Sequence, residues 1–138
     1  MKEYNAADVS IIVAGVPVSG FGDGDFITVE RDEDAFTKQV GTDGEVTRSK
    51  SNNKTGTATL TLMQTSAANA LLSALAALDE LSGDGVGPFQ LKDNSGNTIH
   101  AAQNSWVRKM PSSTWAREAG PREWVIDLDK LNAYEGGN

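Results

Sequence analysis

The chain has 138 residues, 19 of them acidic and 12 basic, with a formal net charge of -7 and no cysteine. That length suits one domain able to bury a real core without disulfides, and the acidic balance repels phosphate and anionic lipid headgroups, which speaks against tight nucleic-acid binding. The missing thiols exclude disulfides, thiolate metal sites and cysteine nucleophiles together, and fit a reducing compartment.

Residues 1–10 lack the basic start and apolar run of a secretion signal. No stretch reaches the ~20 apolar residues of a membrane-spanning helix. A soluble product made in the cytoplasm, with no membrane anchor, is the expectation. Val9 to Val18, VSIIVAGVPV, is a β-branched run broken at Ala14-Gly15, which predicts a hairpin or a bent strand, with Pro17 confining its second half to an edge or bulge. Ser19 to Asp25 is turn chemistry leading into Phe26 to Arg31, a strand.

Asp32-Glu33-Asp34 then interrupts the pattern. Phe36 to Val40 resumes it, with Phe36, Lys38 and Val40 alternating against Thr37 and Gln39. Residues 41–57, GTDGEVTRSKSNNKTGT, hold almost nothing that could enter a core, and pass at once into Thr57 to Leu62, where Thr57, Thr59 and Thr61 share one face and Ala58, Leu60 and Leu62 the other. A strand that continues into a polar arm predicts a β-hairpin over 36–62 that projects beyond the body and is ordered by pairing with other chains. Thr42-Asp43-Gly44 and Ser51 to Lys54 can each form its tip, with Ser51 to Lys54 preferred.

Ser66 is placed to cap a helix over 67–81, AANALLSALAALDEL, in which Leu71, Leu72, Leu75, Leu78 and Leu81 recur at helical spacing and form a greasy face. Such a helix is ~22 Å long, about the width of a small sheet. The glycines and proline of Ser82 to Pro88 end it. Strands return at Phe89 to Lys92 and Thr98 to His100 around a turn at Asp93 to Asn97, then at Trp106 to Met110 and Glu123 to Leu128 around a polar connection from Pro111 to Arg122. In the last strand Trp124, Ile126 and Leu128 share a face, and Asn132 to Asn138 read as a soft tail. The class is mainly β with one packed helix, a single domain over 1–138.

Chemistry is sparse. His100 is the sole histidine, and its nearby Ser95 and Asp93 are ordinary turn residues, so a structural histidine is favoured over a Ser-His-Asp relay. No G-x-S-x-G elbow accompanies it. The acidic run from Asp23 to Asp34 fails the calcium-loop pattern, because Ile27 stands where an oxygen ligand is needed and Thr28 where glycine is; a solvated acidic surface is the plainer reading. Paired carboxylates for glycoside hydrolysis would also need a cleft and a separation that sequence does not give. The glycine runs at Gly20 to Gly24 and Gly83 to Gly87 are turns, since the first leads into a strand and the second follows a helix. Trp106, Trp115 and Trp124 favour core or subunit contacts over ligand stacking, with Trp115 the interface candidate.

The order of early β-branched strands, long polar hairpin, single Ala/Leu helix and second strand set resembles that of phage tail tube proteins, particularly those of contractile tails. The likeness covers nearly the whole chain, through SIIVAGVPVSGFGDGDFITVERDEDAFTKQVGTDGEVTRSKSNNKTGTATLTL and, near the end, REWVIDLDKL. It implies a small β-sandwich or barrel with a flanking helix, six subunits joining their sheets around a continuous inner barrel, and rings stacked into a tube in the virion tail. Sheath, tape-measure and baseplate or terminator proteins are the implied partners, DNA passes the lumen without specific binding, and neither enzymatic activity nor a cofactor is implied. Subunit contacts then fall to Phe36, Lys38, Val40, Val46, Arg48, Lys50, Lys54, Thr57, Thr59 and Thr61 of the arm, with Trp115; an inter-ring role for Gly20 to Asp25 and the chain ends is a weaker corollary. A secretion-system tube and a monomeric β-sandwich module for glycans or calcium are the alternatives.

Overall fold

The computed structural model describes residues 3–19 and 26–137; the turn and inter-ring role read at Gly20 to Asp25 lie outside them. After a 3-10 turn at Ala6–Asp8 the elements are β1 (Val9–Val13), β2 (Val16–Pro17), β3 (Ile27–Arg31), β4 (Phe36–Val40), β5 (Val46–Lys50), β6 (Gly56–Met63), α1 (Ala68–Ser82), β7 (Gly87–Asp93), β8 (Ile99–Lys109), β9 (Pro121–Leu128) and β10 (Asn132–Tyr134). The fold is mainly β with one helix, as the alternation predicts. Among the described residues all the strand pairs are antiparallel: the main sheet runs β2-β1-β7-β8-β9-β6-β3 with β10 added to β8, while β4 and β5 pair only with each other.

The path ends at β2 and β3, so among the described residues the sheet is open and no barrel closes within one chain. Pro17, which cannot donate to a ladder, sits on the terminal strand where that costs nothing. The β1–β2 turn uses Ala14 and Gly15, both at positive φ (50° and 85°), the backbone that a two-residue hairpin connection favours. Both ends of the sheet supply one core: Ile11 and Val13 from β1, Phe89 from β7, Leu60 and Leu62 from β6, Trp124, Ile126 and Leu128 from β9. Each fully buried large side chain of this kind stabilises the fold by ~1.5–3 kcal/mol relative to exposure.

The helix is fastened at its start. Ser66 Oγ accepts the Ala68 N–H at 3.2 Å and donates to Ser19 O at 2.7 Å, while Asn69 Nδ2 donates to Met63 O at 2.8 Å and Asn69 Oδ1 accepts the buried Trp124 Nε1–H at 2.9 Å. The N-cap position is Ala67, which has no side-chain cap, so Ser66 acts from one residue earlier than predicted, and Gly83 closes the far end in the left-handed conformation (φ 73°).

Four sequence expectations need correction. The strand read at Trp106 continues back to Ile99 as one long β8, because β7 pairs with most of one edge while β10 and then β9 divide the other. For the same reason Asn132 to Tyr134 is no soft tail: those residues pair with Ala101 to Ile99, whose backbone groups β9 does not reach. The greasy face of the helix is smaller than its leucines suggest, since Ala68, Leu72 and Ala76 are buried whereas Leu71, Leu78 and Leu81 are exposed. Of the two tryptophans expected in the core, Trp124 is fully buried and Trp106 only half-buried.

Candidate assembly interface

The ribbon from β3 to β6 has two storeys. In the lower one β3 pairs with β6 from Ile27↔Leu60 to Arg31↔Gly56, and β6 pairs on its other side with β9 from Gly56↔Leu128 to Met63↔Pro121. Residues 56–62 are thus an interior strand of the main sheet, with Ala58, Leu60 and Leu62 fully buried, and the predicted arm over 36–62 is too long at its C-terminal end. The physical reason is the Ala/Leu face itself, which has a core to enter. The upper storey is the β4–β5 hairpin, and each of its strand residues is exposed.

Between the storeys the acidic run acts as a clasp. Asp32 accepts from Thr55 Oγ1 at 2.9 Å and from Thr57 Oγ1 at 2.7 Å, and Glu33 accepts from Ser51 Oγ at 3.0 Å. Backbone bonds from Ser51 N to Ala35 O (2.9 Å) and from Asp32 N to Thr55 O (3.1 Å) close the same region. Ser51 to Lys54 therefore belong to the base of the hairpin, not its tip. The tip is the other candidate turn: Gly41 N donates to Glu45 O at 2.8 Å, Asp43 Oδ1 accepts the Glu45 N–H at 3.1 Å, and Gly44 takes φ 88°, where a side chain would be strained.

The register Phe36↔Lys50, Lys38↔Arg48, Val40↔Val46 puts six of the predicted contact residues on a single face. Arg48 Cζ stands 4.4 Å above the Phe36 ring centroid on that face, a cation–π contact. The opposite face is Thr37, Gln39, Thr47 and Ser49. Lys54 lies apart, where its carbonyl accepts the Leu131 N–H at 2.8 Å. Thr57, Thr59 and Thr61 sit on the outer face of β6, where their cross-strand neighbours on β9 are Asp127, Val125 and Glu123; because β3 and β9 flank β6, only their side chains face outward. Trp115 is 77% exposed in the connection before β9, donating Nε1–H to Ser113 Oγ at 2.9 Å and flanked by the Arg122 guanidinium at 5.5 Å. The structure thus gathers the hairpin residues and leaves Trp115 separate.

Sequence reasoning missed a second exposed apolar surface. Leu71, Leu78 and Leu81 are 48%, 45% and 86% exposed along α1. Their spacing, with Ala74 between, was available as a signal, but the helix is apolar nearly all round and periodicity alone does not say which side the sheet takes.

His100 is buried with Nε2 at 3.9 Å from Glu135 Oε2 and Nδ1 without a hydrogen-bond partner; it borders a cavity of about 370 Å³ also lined by Tyr4, Val9, Phe26 and Leu91. Ser95 Oγ donates to Asp93 Oδ1 at 2.8 Å, and the same oxygen accepts Ser95 N–H at 3.0 Å, so this pair serves the turn. Among the described residues no three His, Asp or Glu side chains converge where a metal ion could sit, and no helix is long and apolar enough to cross a membrane.

Comparison with known proteins places this architecture. A structural protein of Pseudomonas phage KPP10, ORF10, is 32% identical over 123 residues, spanning 88% of this chain and 71% of that protein. Among solved structures the tube-terminating cap of the anti-feeding prophage superposes with a TM-score of 0.63 at 10% identity, covering 97% of this chain and 92% of that one. The sheath/tube terminator of the extracellular contractile injection system PVC gives 0.58 at 10% identity over 98% and 99% of the two chains, and a chain of the native gene transfer agent particle gives 0.59 at 10% identity over 96% and 100%; these three likenesses speak to the fold. The model of the bacteriophage PhiTE tail tube protein family matches residues 1–136, and the chain accordingly belongs to that family of phage structural proteins.

Proposed function

We propose that copies of this chain join their sheets into rings of six, and that the rings stack into the inner tail tube through which phage DNA passes into the host. The observation that carries this reading is the β4–β5 hairpin: it stands outside the sheet with every strand residue exposed, and a two-stranded hairpin with no body beneath it is marginal in water. Contacts with neighbouring subunits supply what its own subunit does not. The open ends of the sheet at β2 and β3 fit the same scheme, because ring closure removes edges that would otherwise aggregate.

The outer face of β3, β6 and β9 carries Thr28, Glu30, Thr57, Thr59, Thr61, Glu123, Val125 and Asp127, with Asp127 paired to Arg108 at 3.2 Å, a mainly hydroxyl and carboxylate surface suited to a wet lumen. With a formal charge of -7 per chain, such a lining repels DNA and lets it slide. The mechanism is passive: a sheath supplies the work, and tape-measure and baseplate or terminator proteins are the other partners. The protein resides in the virion tail after synthesis in the host cytoplasm.

A terminal ring is the second reading, favoured by the two terminator proteins among the structural neighbours. Negative-stain microscopy over a concentration series separates the two, since a tube protein gives hollow polymers of indefinite length and a terminator gives single rings. Excising residues 36–50 behind a short glycine link is expected to leave a folded monomer and no tubes, because Ala35 O already meets Ser51 N at 2.9 Å. Normal tubes from that variant would contradict the role given to the hairpin.

A further inference from the structure

We infer that the basic-apolar face of the β4–β5 hairpin docks on the exposed leucine stripe of α1 in a neighbouring copy. The inference rests on the tube reading and adds which surface the hairpin meets. The hairpin face interleaves Phe36, Val40 and Val46, 46%, 63% and 60% exposed, with Lys38, Arg48 and Lys50. Such a surface is unusual in a chain with a formal charge of -7, and it combines the aromatic and arginine character enriched at interfaces.

The helix is its chemical complement. From Ala68 to Ser82 it carries no Lys or Arg, while its C-terminal end bears Asp79 and Glu80, with Asp84 just beyond. Its last carbonyls add the negative end of the helix dipole. Leu71, Leu78 and Leu81 recur at intervals of seven and three residues on the exposed side, away from buried Ala68, Leu72 and Ala76, so α1 has a second apolar face that its own sheet leaves uncovered. A helix apolar on two sides is built to be covered on two sides.

The dimensions agree. Leu71 to Leu81 spans ~15 Å along the helix at ~1.5 Å per residue, and Phe36 to Val40 spans ~14 Å at ~3.4 Å per residue. Apolar side chains meet apolar side chains while the three cations reach the acidic helix end, and opposite charge fixes which way round the hairpin lies. The other basic-apolar surface, around Trp115, flanks the same subunit's helix, lining a cavity with Asn69 and Ser73; the hairpin is the surface that projects away from its own subunit.

The absence of cysteine makes the contact directly testable in the full-length protein. With the cations at the acidic end of α1, Val40 falls beside Leu71, so Val40→Cys and Leu71→Cys variants, co-assembled and oxidised, are expected to give a disulfide-linked heterodimer that neither forms alone. In parallel, Lys38→Glu with Arg48→Glu and Lys50→Glu should raise the concentration needed for assembly by at least ~10-fold, the effect of ~1.4 kcal/mol, as should Glu80→Lys with Asp84→Lys. Combining the two sets reverses both partners and should restore assembly. Tubes that form normally and need the hairpin, yet link Val40→Cys to Thr59→Cys or Trp115→Cys instead, or show no rescue by the charge swap, overturn the helix contact and leave the tube reading standing. Protein that stays monomeric at every concentration overturns both.

Discussion

Strand β6 and the β4–β5 hairpin are successive lengths of one ribbon, yet alternate residues of β6 are buried while none of the hairpin's are. Both alternate, so local strand preference does not separate them. What separates them is the company each apolar residue keeps on its own face. Ala58, Leu60 and Leu62 enter the core, and the one charge opposite them, Arg122, is buried with its guanidinium donating to the Pro121 and Thr114 carbonyls; Phe36, Val40 and Val46 share their face with Lys38, Arg48 and Lys50, which have no such partners in the monomer and cannot be buried without them. A mixed face of that kind suits an interface, where cations at the rim stay paired or wet.

The comparison breaks most visibly under paired truncations. Leu60→Ala, at a side chain with no exposure, is expected to cost ~2–5 kcal/mol in denaturant unfolding of the monomer, whereas Val40→Ala should stay within ~0.5 kcal/mol. Equal losses would mean that the hairpin packs on its own subunit. The same pair should reverse rank in assembly assays on folded protein, with Val40→Ala the more damaging.

A smaller effect sharpens the account of the body to which the hairpin is attached. Ser105 is fully buried, its Oγ accepting the Ala14 N–H at 3.2 Å and donating to Gly87 O at 2.8 Å. It ties the β1–β2 turn to β7 through β8. Ser105→Ala should cost ~1–3 kcal/mol by stranding those groups, read as a lower thermal midpoint, with the hairpin unaffected.

Much of this was legible from sequence because alternation reports faces. The buried set Trp124, Ile126 and Leu128 and the single face of Phe36, Lys38 and Val40 follow from a period of two, and the Ala14-Gly15 turn from the interruption of a β-branched run. The tip of the hairpin was not, since Thr42-Asp43-Gly44 and Ser51 to Lys54 have similar turn chemistry and only the register with β4 and the Asp32 clasp choose between them. Nor was the far limit of the arm, because the residues flanking β6 on both sides, β3 and β9, are distant in sequence. The helix face failed for another reason: with alanine between the leucines, two stripes fit equally well, and burial chose Leu72 over Leu71.

The smallest expected effect is on acid stability. Asp129 accepts Asn104 Nδ2–H at 2.7 Å, and this bond, opposed by partial burial and assisted by backbone N–H groups, holds its carboxyl below the usual aspartate range. A carboxyl lowered on folding contributes fully above its unfolded value and loses that contribution as pH falls through the folded one. Asn104→Ala should therefore destabilise slightly at neutral pH and not at all at strongly acidic pH, and the Asp129 titration should move up; an unmoved titration would assign the bond no role at the β9–β10 corner.

The most direct measurement of the central claim is amide hydrogen exchange along β4, β5 and β6 in dilute monomer and in assembled polymer. Fast exchange across β4 and β5 in the monomer beside protected β6, turning to protection in all three strands on assembly, is the predicted result. Hairpin amides already as protected as β6 in the monomer, or still unprotected in the polymer, would contradict it.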